Sequence, residues 1–318
     1  MVRPGVAVIG GGAWGLALAA AASRTASDGG VTLLYSRREF GPLPSGITQT
    51  RNYAEIGARA RLIFVAVPSD HAREVLRSLG DHIDGSHYVV HGVRGLAGDS
   101  METIGDLIRA ETPARRIGAL GGPALAEDLL AGRPSVIVCG SHYPEVNAAV
   151  ARVFVTPQLR LYATDDLRGL EWASALVGCI AIGVGFAQGM GLGPGLTAAA
   201  IVRSVEEASR LAAAAGGEGR TLLGLAGYGD LLASVSQTER PEVALGRALA
   251  KGDTLDEALR GSRQRVEAVE LIPRVIAWAA RHGVRIPMFD ALTRGVLSAR
   301  SREVIVQGLM DSSSDSRA

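Results

Sequence analysis

The chain opens on an apolar run followed by a cluster of glycines, and no other feature constrains the fold as strongly. Val6–Ile9 is typical of a buried strand, and Leu16–Ala22 is typical of a helix. Between them, Gly10 permits a tight turn, Gly12 lets the backbone approach a pyrophosphate, and Gly15 lets the helix pack closely on the strand. The helix N-terminus presents N–H groups and a positive dipole end. The pattern therefore predicts a dinucleotide site.

The residues after the second predicted strand indicate which dinucleotide binds. That strand, 31–36, is followed by Arg37 and Arg38, and the first acid is Glu39. An NAD site usually carries an acid about 20 residues after the glycines, where it binds the ribose 2′-OH. Two guanidinium groups instead fit a 2′-phosphate. The sequence favours NADPH, with NADH as the alternative cofactor and a solvated basic loop as the alternative interpretation.

Composition excludes several classes of function. The 318 residues carry a net charge of +1 and no basic run or nucleic-acid-binding module, so no nucleic-acid partner is expected. The sequence has no HExxH or CxxC motif, so no metal site is expected, and it has no GxSxG motif of a serine hydrolase. Two cysteines, Cys139 and Cys179, fit a reducing cytoplasm, and a first strand starting by residue 5 leaves no room for a presequence.

One long apolar run raises the question of a membrane span. Trp172–Ala187 has no charged residue, but it is only 16 residues long and contains three glycines. It is closed by Glu171 and Gln188. A membrane-spanning helix needs about 20 residues. We therefore predict a buried core helix and no membrane span.

Short apolar runs alternate with helix-like segments in the first half of the chain, whereas the second half shows only helical spacing. This order predicts an α/β chain with an N-terminal Rossmann-like doubly wound domain and an all-α C-terminal domain. We place these domains at 1–168 and 169–310, with a disordered tail at 311–318. Thr254 and Glu257 form a predicted capping box. Strands are predicted at 5–10, 31–36, 61–67, 87–92, 116–120, 134–139 and 159–163; helices are predicted at 14–25, 70–80, 99–112, 124–131, 144–154, 169–190, 196–215, 220–236, 241–250, 254–260, 264–282 and 288–298.

Several ordered motifs resemble those of the bacterial NAD(P)H-dependent glycerol-3-phosphate dehydrogenases. Besides the glycine turn, the matching segments are Phe64–Ser69, Gly122–Glu127, Gly189–Gly193, Leu223–Leu231 and His282–Met288. Enzymes of that family interconvert dihydroxyacetone phosphate and sn-glycerol 3-phosphate. The resemblance implies a dehydrogenase acting on a CH–OH group of a small-molecule substrate, and it is compatible with a homodimer.

The chain departs from the family pattern where the family carries its catalytic lysine. The family's Lys-Asn pair, in the context GALKN, is replaced by Val177 and Gly178, and valine cannot transfer a proton. Asp230 resembles the family carboxylate that supports the lysine. Near the family's phosphate-binding SRNR segment, the chain has Arg240 followed by proline and Glu242, and a glutamate repels phosphate.

The glycine motif and the resemblance together define the predicted site. Arg94 stands where the family has a lysine that contacts nicotinamide and substrate, so the charge is kept while the geometry changes. Glu267 matches a family glutamate on the adenine side of the cofactor. The predicted cofactor-binding residues are Gly10, Gly12, Ala13, Trp14, Gly15, Arg37, Arg38, Pro68, Arg94, Ala126 and Glu267; the predicted substrate-binding residues are Arg94, Gly122, Ala124, Asp230 and Arg240.

Three hypotheses about function follow. The first is an active reductase with weakened or altered activity. General acid–base catalysis contributes roughly 10²–10⁴-fold to a reaction rate, so a site without the lysine could keep slow turnover. His91, at the end of the fourth predicted strand, is a candidate substitute acid, and a loop histidine without a catalytic role is the alternative. The second hypothesis is an inactive dinucleotide-binding regulator or sensor. The third is a reductase of a substrate without phosphate, for which Glu242 and Arg240 suit a cationic or zwitterionic compound.

Overall fold

The computed structural model describes residues 5–25, 31–237, 239–262 and 265–292. The described residues form two compact units. The first unit contains 5–98 and 102–171, and the second contains 99–101 and 172–292. The division after Glu171 compares with a predicted boundary at 168. The predicted tail, 311–318, lies outside the described residues.

The first unit contains one eight-stranded sheet. Its order is β3-β2-β1-β4-β5-β6-β7-β8, and every neighbouring pair is parallel except β6 and β7. The parallel pairs agree with the predicted doubly wound fold. The antiparallel β6–β7 pair was not predicted from the sequence. The strands are β1 (Gly5–Ile9), β2 (Thr32–Tyr35), β3 (Ile47–Thr50), β4 (Ala60–Val65), β5 (Tyr88–His91), β6 (Arg116–Gly121), β7 (Ser135–Gly140) and β8 (Leu159–Thr164).

The sheet core is a set of apolar rows that cross the central strands. Val8 is in register with Leu34 on one side and Phe64 on the other, and Phe64 is in register with Val90. All four side chains are fully buried. Parallel strands covered by helices on both faces need such continuous apolar runs, and these runs are what made the strands predictable.

Six helices lie within the described residues of the first unit. α4 begins after Thr103, because Thr103 and Asp106 form a capping box there. α6 begins with Pro144, whose missing N–H is harmless at the first helical position. The helices are α1 (Ala13–Thr25), α2 (Tyr53–Arg59), α3 (Ser69–Gly80), α4 (Ile104–Glu111), α5 (Ala126–Ala131) and α6 (Pro144–Phe154).

Two short elements were missed by the sequence analysis, and one helix was predicted too long. β3 has a single isoleucine among threonines and glutamine, so it lacks an apolar run, and α2 has only seven residues. The predicted helix 99–112 was wrong over 99–103, where Met101 adopts a positive φ of 58° and Ala97 bridges Glu102 instead. A non-glycine residue in that region cannot continue a helix.

Helices alone make up the described part of the second unit. Its predicted helix 220–236 is divided into a 3-10 turn (Gly219–Leu223), a π turn (Leu225–Gly229) and a short α-helix. The capping box of Thr254 and Glu257 is confirmed. The helices are α7 (Leu167–Gly189), which starts in the first unit, α8 (Pro194–Ala214), α9 (Asp230–Val235), α10 (Pro241–Ala250), α11 (Leu255–Gly261), α12 (Ala268–Arg281) and α13 (Pro287–Leu292).

α7 contains the long apolar run that raised the membrane question. Its 23 residues reach the length and hydropathy of a membrane-crossing helix, and it is the one helix of the described residues that does so. Its most apolar window is, however, 94% buried inside the protein. That burial agrees with the predicted core helix.

A buried carboxylate connects α8 to α13. Glu207 is 2% exposed, and its carboxylate accepts the backbone N–H of Met288 at 2.9 Å and that of Phe289 at 3.1 Å. Arg210 lies at 4.0 Å. Burial raises the pKa of Glu207 to about 7, although the two backbone donors oppose this shift. The charged form therefore costs free energy in the folded protein.

We expect Glu207→Gln to flatten the pH dependence of stability. Because the folded-state pKa is raised, the native protein binds more protons than the unfolded chain between the ordinary carboxyl pKa and about 7. The stabilising contribution of the protonated group is present below that window and is lost as pH rises through it, by at most about 1.4 kcal/mol per pH unit. Urea unfolding at pH 5 and pH 8 measures it. Glu206→Gln, an exposed neighbour, is the control, and identical pH slopes for wild type and Glu207→Gln would contradict the assignment.

Candidate functional site

The glycine turn between β1 and α1 is shaped by two close backbone contacts. Gly10 has a φ of 131°, and a Cβ there would collide with the carbonyl oxygen of Ala66 at the end of β4. A Cβ at Gly15 would collide in turn with the carbonyl oxygen of Gly10. Both positions therefore need glycine, one for conformation and close approach and the other for helix packing.

Gly12 differs from these two glycines, because its missing side chain leaves open space. A Cβ at Gly12 would have no neighbour within 4 Å, and Gly12 and Ala13 are exposed. The amide of Leu16 bonds to the carbonyl of Gly12 at 3.0 Å, which leaves the earlier amides of the helix without an intrahelical acceptor. This cradle fits a dinucleotide pyrophosphate, which would lie against the positive end of α1.

The loop after β2 is fixed by its backbone and exposes its arginines. Ser36 is buried against Gly11 and accepts the N–H of Arg38 at 3.0 Å. Gln49 on β3 donates to the carbonyls of Ser36 and Arg38, at 3.2 and 2.6 Å. Arg37 and Arg38 are both exposed. The main chain is thus held in place while two guanidinium groups are available at the carboxyl end of β2.

Glu39, the first acid of this loop, is engaged away from β2. Its carboxylate pairs with Arg51, just past β3, at 3.2 Å, and both side chains are largely exposed. The sequence analysis missed Gln49 and Arg51, because β3 itself was not predicted. The TQT pattern of β3 carried no signal of this role beyond its polarity.

The carboxyl ends of β4 and β5 complete the edge of the sheet around the glycine turn. Pro68 follows β4 and precedes α3. The indole nitrogen of Trp14 lies directly over Gly92, where a Cβ would collide with it. In a doubly wound fold the dinucleotide crosses this edge, with its adenosine half on the β2 side and its nicotinamide half on the β4–β5 side. Gly92 and Arg94, which follow β5, therefore lie on the expected nicotinamide side.

His91, the last residue of β5, is enclosed rather than open to a substrate. It is 1% exposed, and its Nε2 lies 2.9 Å from Oε1 of Glu171. Its Nδ1 accepts the backbone N–H of Val93 at 3.3 Å. Both ring nitrogens are engaged, and this geometry argues against the hypothesis of a substitute acid. Glu171 was missed as a partner, although a charge bounding a long apolar run signals a buried ionisable group.

The remaining predicted residues of the first unit lie after β6. Gly122 has a φ of 93°, which allows the sharp turn that ends the strand. Ala124 is buried, and Ala126 is the first residue of α5. They lie after the carboxyl end of β6, which is parallel to β5. The first unit thus places at one edge of the sheet all the cofactor-binding residues predicted within it.

In the second unit, the Val177–Gly178 pair lies inside α7. Val177 is 2% exposed. A Cβ at Gly178 would lie 3.7 Å from Oε1 of Glu242 and 3.3 Å from the Cβ of Ala268, so α7, α10 and α12 meet here. Glu242 pairs through its other oxygen with Arg240 at 2.9 Å, and both side chains are mostly buried. A carboxylate therefore occupies the space beside Gly178.

Asp230 lies in the same unit and is fully buried at the start of α9. Ser234, one turn later, donates to its Oδ1 at 3.4 Å. The π turn before Asp230 is a backbone form often found at functional sites. Glu267 precedes α12. Lys251, the single lysine of the sequence, is exposed at the end of α10 and lies outside α7.

A doubly wound sheet with an open glycine cradle, followed by a unit whose described residues form only helices, is typical of nicotinamide-dinucleotide-dependent oxidoreductases. Family models narrow this class. The N-terminal model of the NAD-dependent glycerol-3-phosphate dehydrogenases matches residues 36–147, and the C-terminal model matches 166–307. The chain belongs to the NAD-dependent glycerol-3-phosphate dehydrogenase family, as its motifs predicted, and the NAD(P) cofactor that they predicted is confirmed.

Individual relatives agree with this assignment. The chain is 32% identical to glycerol-3-phosphate dehydrogenase (NAD(P)+) 2 of Sphingopyxis alaskensis, with 98% of each chain covered. It is 33% identical to glycerol-3-phosphate dehydrogenase (NAD(P)+) of Gluconobacter oxydans, with 92% of each chain covered. The crystal structure of glycerol-3-phosphate dehydrogenase from Coxiella burnetii has the same fold, with a TM-score of 0.88 at 24% identity over 98% of this chain and 99% of that one.

We expect Gly12→Val to abolish dinucleotide binding without unfolding the protein. The new side chain has free space in the ligand-free turn, but it fills the volume that a pyrophosphate needs. Thermal melts with and without NADPH measure the effect: the ligand-induced shift should disappear while the ligand-free melting temperature stays near that of wild type. Gly85→Val, in an exposed turn with ordinary contact distances, is the matched control. A shift that persists in Gly12→Val would place the cofactor elsewhere.

Proposed function

We propose that this protein is an NADPH-preferring reductase of a small carbonyl compound, with weakened turnover of the dihydroxyacetone phosphate/glycerol 3-phosphate pair. The observation that carries the proposal is the contrast between the two units. The cradle at Gly12 fits a pyrophosphate, whereas Val177 stands at the family's lysine position. The relatives named above are glycerol-3-phosphate dehydrogenases, which supports that substrate pair as the reference reaction.

The chemistry of a ketone reduction explains why turnover should be weak. The carbonyl carbon would receive a hydride from NADPH when that cofactor is bound, and the carbonyl oxygen would need a proton to become a hydroxyl. Val177 has no proton to give, and the ring nitrogens of His91 are engaged with Glu171 and Val93. Without a general acid, the reaction loses roughly 10²–10⁴-fold, and orientation of the bound partners supplies what rate remains.

We expect NADPH to bind more tightly than NADH, and Arg37→Ala to remove much of that preference. A charge-assisted contact to the 2′-phosphate is worth about 1.5–3 kcal/mol before solvent screening, so on an exposed loop we expect a loss of about tenfold. Titrations of both cofactors measure this preference through the intrinsic fluorescence of the protein, with Trp14 in the glycine turn as the reporter. Arg61→Ala is the control, because Arg61 is an exposed arginine at the amino end of β4, on the edge of the sheet opposite the loop that contains Arg37. Equal affinities for the two cofactors, or an unaffected Arg37→Ala, would refute the preference.

We expect little or no reduction of dihydroxyacetone phosphate by the natural chain, and at least tenfold recovery when the family residues are restored. A side chain at position 178 meets Glu242, so restoration needs both regions: Val177→Lys, Gly178→Asn, Pro241→Arg and Glu242→Asn together. The new lysine is buried and needs a partner, which Asp230 is expected to supply. Steady-state NADPH oxidation is the measurement.

Two controls separate proton transfer from repacking. Val177→Met in the same background replaces the lysine with an unbranched side chain that has no amine, and it should give no recovery. Asp230→Asn in the restored variant should remove the gain. If the natural chain already turns over at an ordinary rate of about 10 s⁻¹, the assignment of Val177 to the lysine position is wrong.

A second candidate function is reduction of a substrate without phosphate. Glu242 favours it, because this mostly buried carboxylate keeps Oε2 on Arg240 while its Oε1 lies over Gly178. A carboxylate in this place repels phosphate and attracts an ammonium group or a hydroxyl donor. Melts of the NADPH-saturated protein with glycerol 3-phosphate, glycerol and 3-aminopropane-1,2-diol discriminate the two functions. Stabilisation by the ammonium compound alone favours the second, and stabilisation by the phosphate alone favours the first.

A regulatory or sensor protein without turnover is the third alternative. It requires that the protein binds NADPH and that no carbonyl compound tested oxidises the bound NADPH.

We further propose a cytoplasmic location and a homodimer, with no nucleic-acid partner. The near-neutral net charge of +1 supports the last point, because nucleic-acid binding draws on clustered positive charge.

A further inference from the structure

A buried polar network links three parts of the first unit that are far apart in sequence. Oε1 of Glu171, in the first turns of α7, lies 2.9 Å from Nε2 of His91 and accepts the N–H of Gly105 at 2.6 Å. His91 and Glu171 are 1% and 4% exposed. A carboxylate so buried is stable only when its partners satisfy it, and here a helix N-terminus and an imidazole do so.

The bond to Val93 assigns the donor and acceptor roles of the two ring nitrogens of His91. The backbone N–H of Val93 can only donate, so Nδ1 of His91 is the acceptor at 3.3 Å and carries no proton. Nε2 then carries the proton and donates it to Glu171. His91 therefore uses one ring nitrogen as a donor and the other as an acceptor. Its two bonds join Glu171 on one side to the segment after β5 on the other.

Further contacts prevent the network from shifting. A Cβ at Gly105 would lie only 3.0 Å from Oε1 of Glu171, so the carboxylate packs directly on the backbone of α4. One turn earlier in α7, Arg168 donates to Asp106 at 2.9 Å, and Asp106 also belongs to the capping box of α4. α4 and the start of α7 thus hold the carboxylate of Glu171 in place. The bond between Glu171 and His91 then fixes the carboxyl end of β5.

The segment that His91 holds reaches the expected nicotinamide half of the cofactor site. Val93, whose N–H binds His91, directly precedes Arg94. Gly92, on the other side, is bonded to the carbonyl of Val65 at 2.8 Å and lies under the indole of Trp14. The carboxyl end of β5 belongs to the second mononucleotide half of a doubly wound sheet. A small rotation at Val93 would move the Arg94 side chain and the surface beside Trp14.

We propose that His91 and Glu171 are positioning residues that hold the Gly92–Arg94 segment in the conformation that receives the nicotinamide half of the cofactor. The inference goes beyond the proposed reductase function, because it concerns cofactor geometry and is independent of the substrate and of the 2′-phosphate preference. It assigns His91 a role through Val93, in place of proton transfer.

Two conservative variants separate the two bonds of His91. His91→Gln keeps an amide donor near the place of Nε2 and loses the acceptor for Val93. His91→Asn keeps an acceptor near the place of Nδ1 and loses the donor to Glu171. Affinity for the whole dinucleotide is compared with affinity for its adenosine half alone: NADPH with 2′,5′-ADP, and NADH with ADP, by calorimetry well below the melting temperature.

We expect His91→Gln to lower the affinities for NADPH and NADH by about three- to tenfold, which is the range expected for one lost hydrogen bond. The affinities for 2′,5′-ADP and ADP should change by less than about twofold. His91→Asn should lower the melting temperature, because Glu171 loses a partner, yet retain more dinucleotide affinity than His91→Gln. His87→Gln is the matched control. His87 is a buried histidine just before β5, bonded to the carbonyl of Gly57 at 3.0 Å, and its loss should leave the affinity for all four ligands unchanged.

Two results would overturn the proposal. If His91→Gln lowers the affinities for the whole dinucleotides and for the adenosine halves equally, the network only supports the fold. If it lowers neither set of affinities, the Val93 segment does not contact the nicotinamide half. A failure of the reductase proposal changes neither outcome, because all four measurements are of binding and need no turnover.

Discussion

The close backbone contact between the glycine turn and the end of β4 is the constraint on which the rest of the first unit depends. Gly10 has no room for a side chain against Ala66, and Gly15 has none against Gly10, so α1 begins directly on the sheet. This contact fixes the N-terminus of α1 at the carboxyl edge of the strands. Gly12 and the loop after β2 are then placed where a pyrophosphate and an adenosine ribose would lie.

Local patterns made much of this fold predictable. The apolar strands, the glycine turn and the capping box of Thr254 follow from residues close in sequence, and these predictions are confirmed. Contacts between distant residues were not predictable in the same way. His91 and Glu171 are 80 residues apart, and only the strand register brings them together. β3 was missed because its polar pattern carries no apolar period, and its Gln49 was therefore missed as well.

The two units build their candidate site residues in different ways. In the first, Gly10 and Gly15 shape the dinucleotide cradle through close backbone contacts that leave no room for a side chain. In the second, Val177 and Gly178 are packed inside α7 beside Glu242. A cofactor site that the backbone builds and a catalytic site that side chains build can thus diverge separately, since fold alone does not set function.

The single antiparallel pairing in the sheet helps to set where the buried carboxylate of Glu171 lies. His91, Ala119, Gly140 and Thr164 lie in one row across β5 to β8, because β7 and β8 run against β6. The chain leaves β8 in this row and reaches Glu171 beside His91 within two turns of helix. Sliding the β6–β7 register by one residue would displace that carboxylate by about 3.4 Å, beyond hydrogen-bond reach. The register of the β6–β7 pair is therefore constrained by a buried hydrogen bond that lies outside both strands.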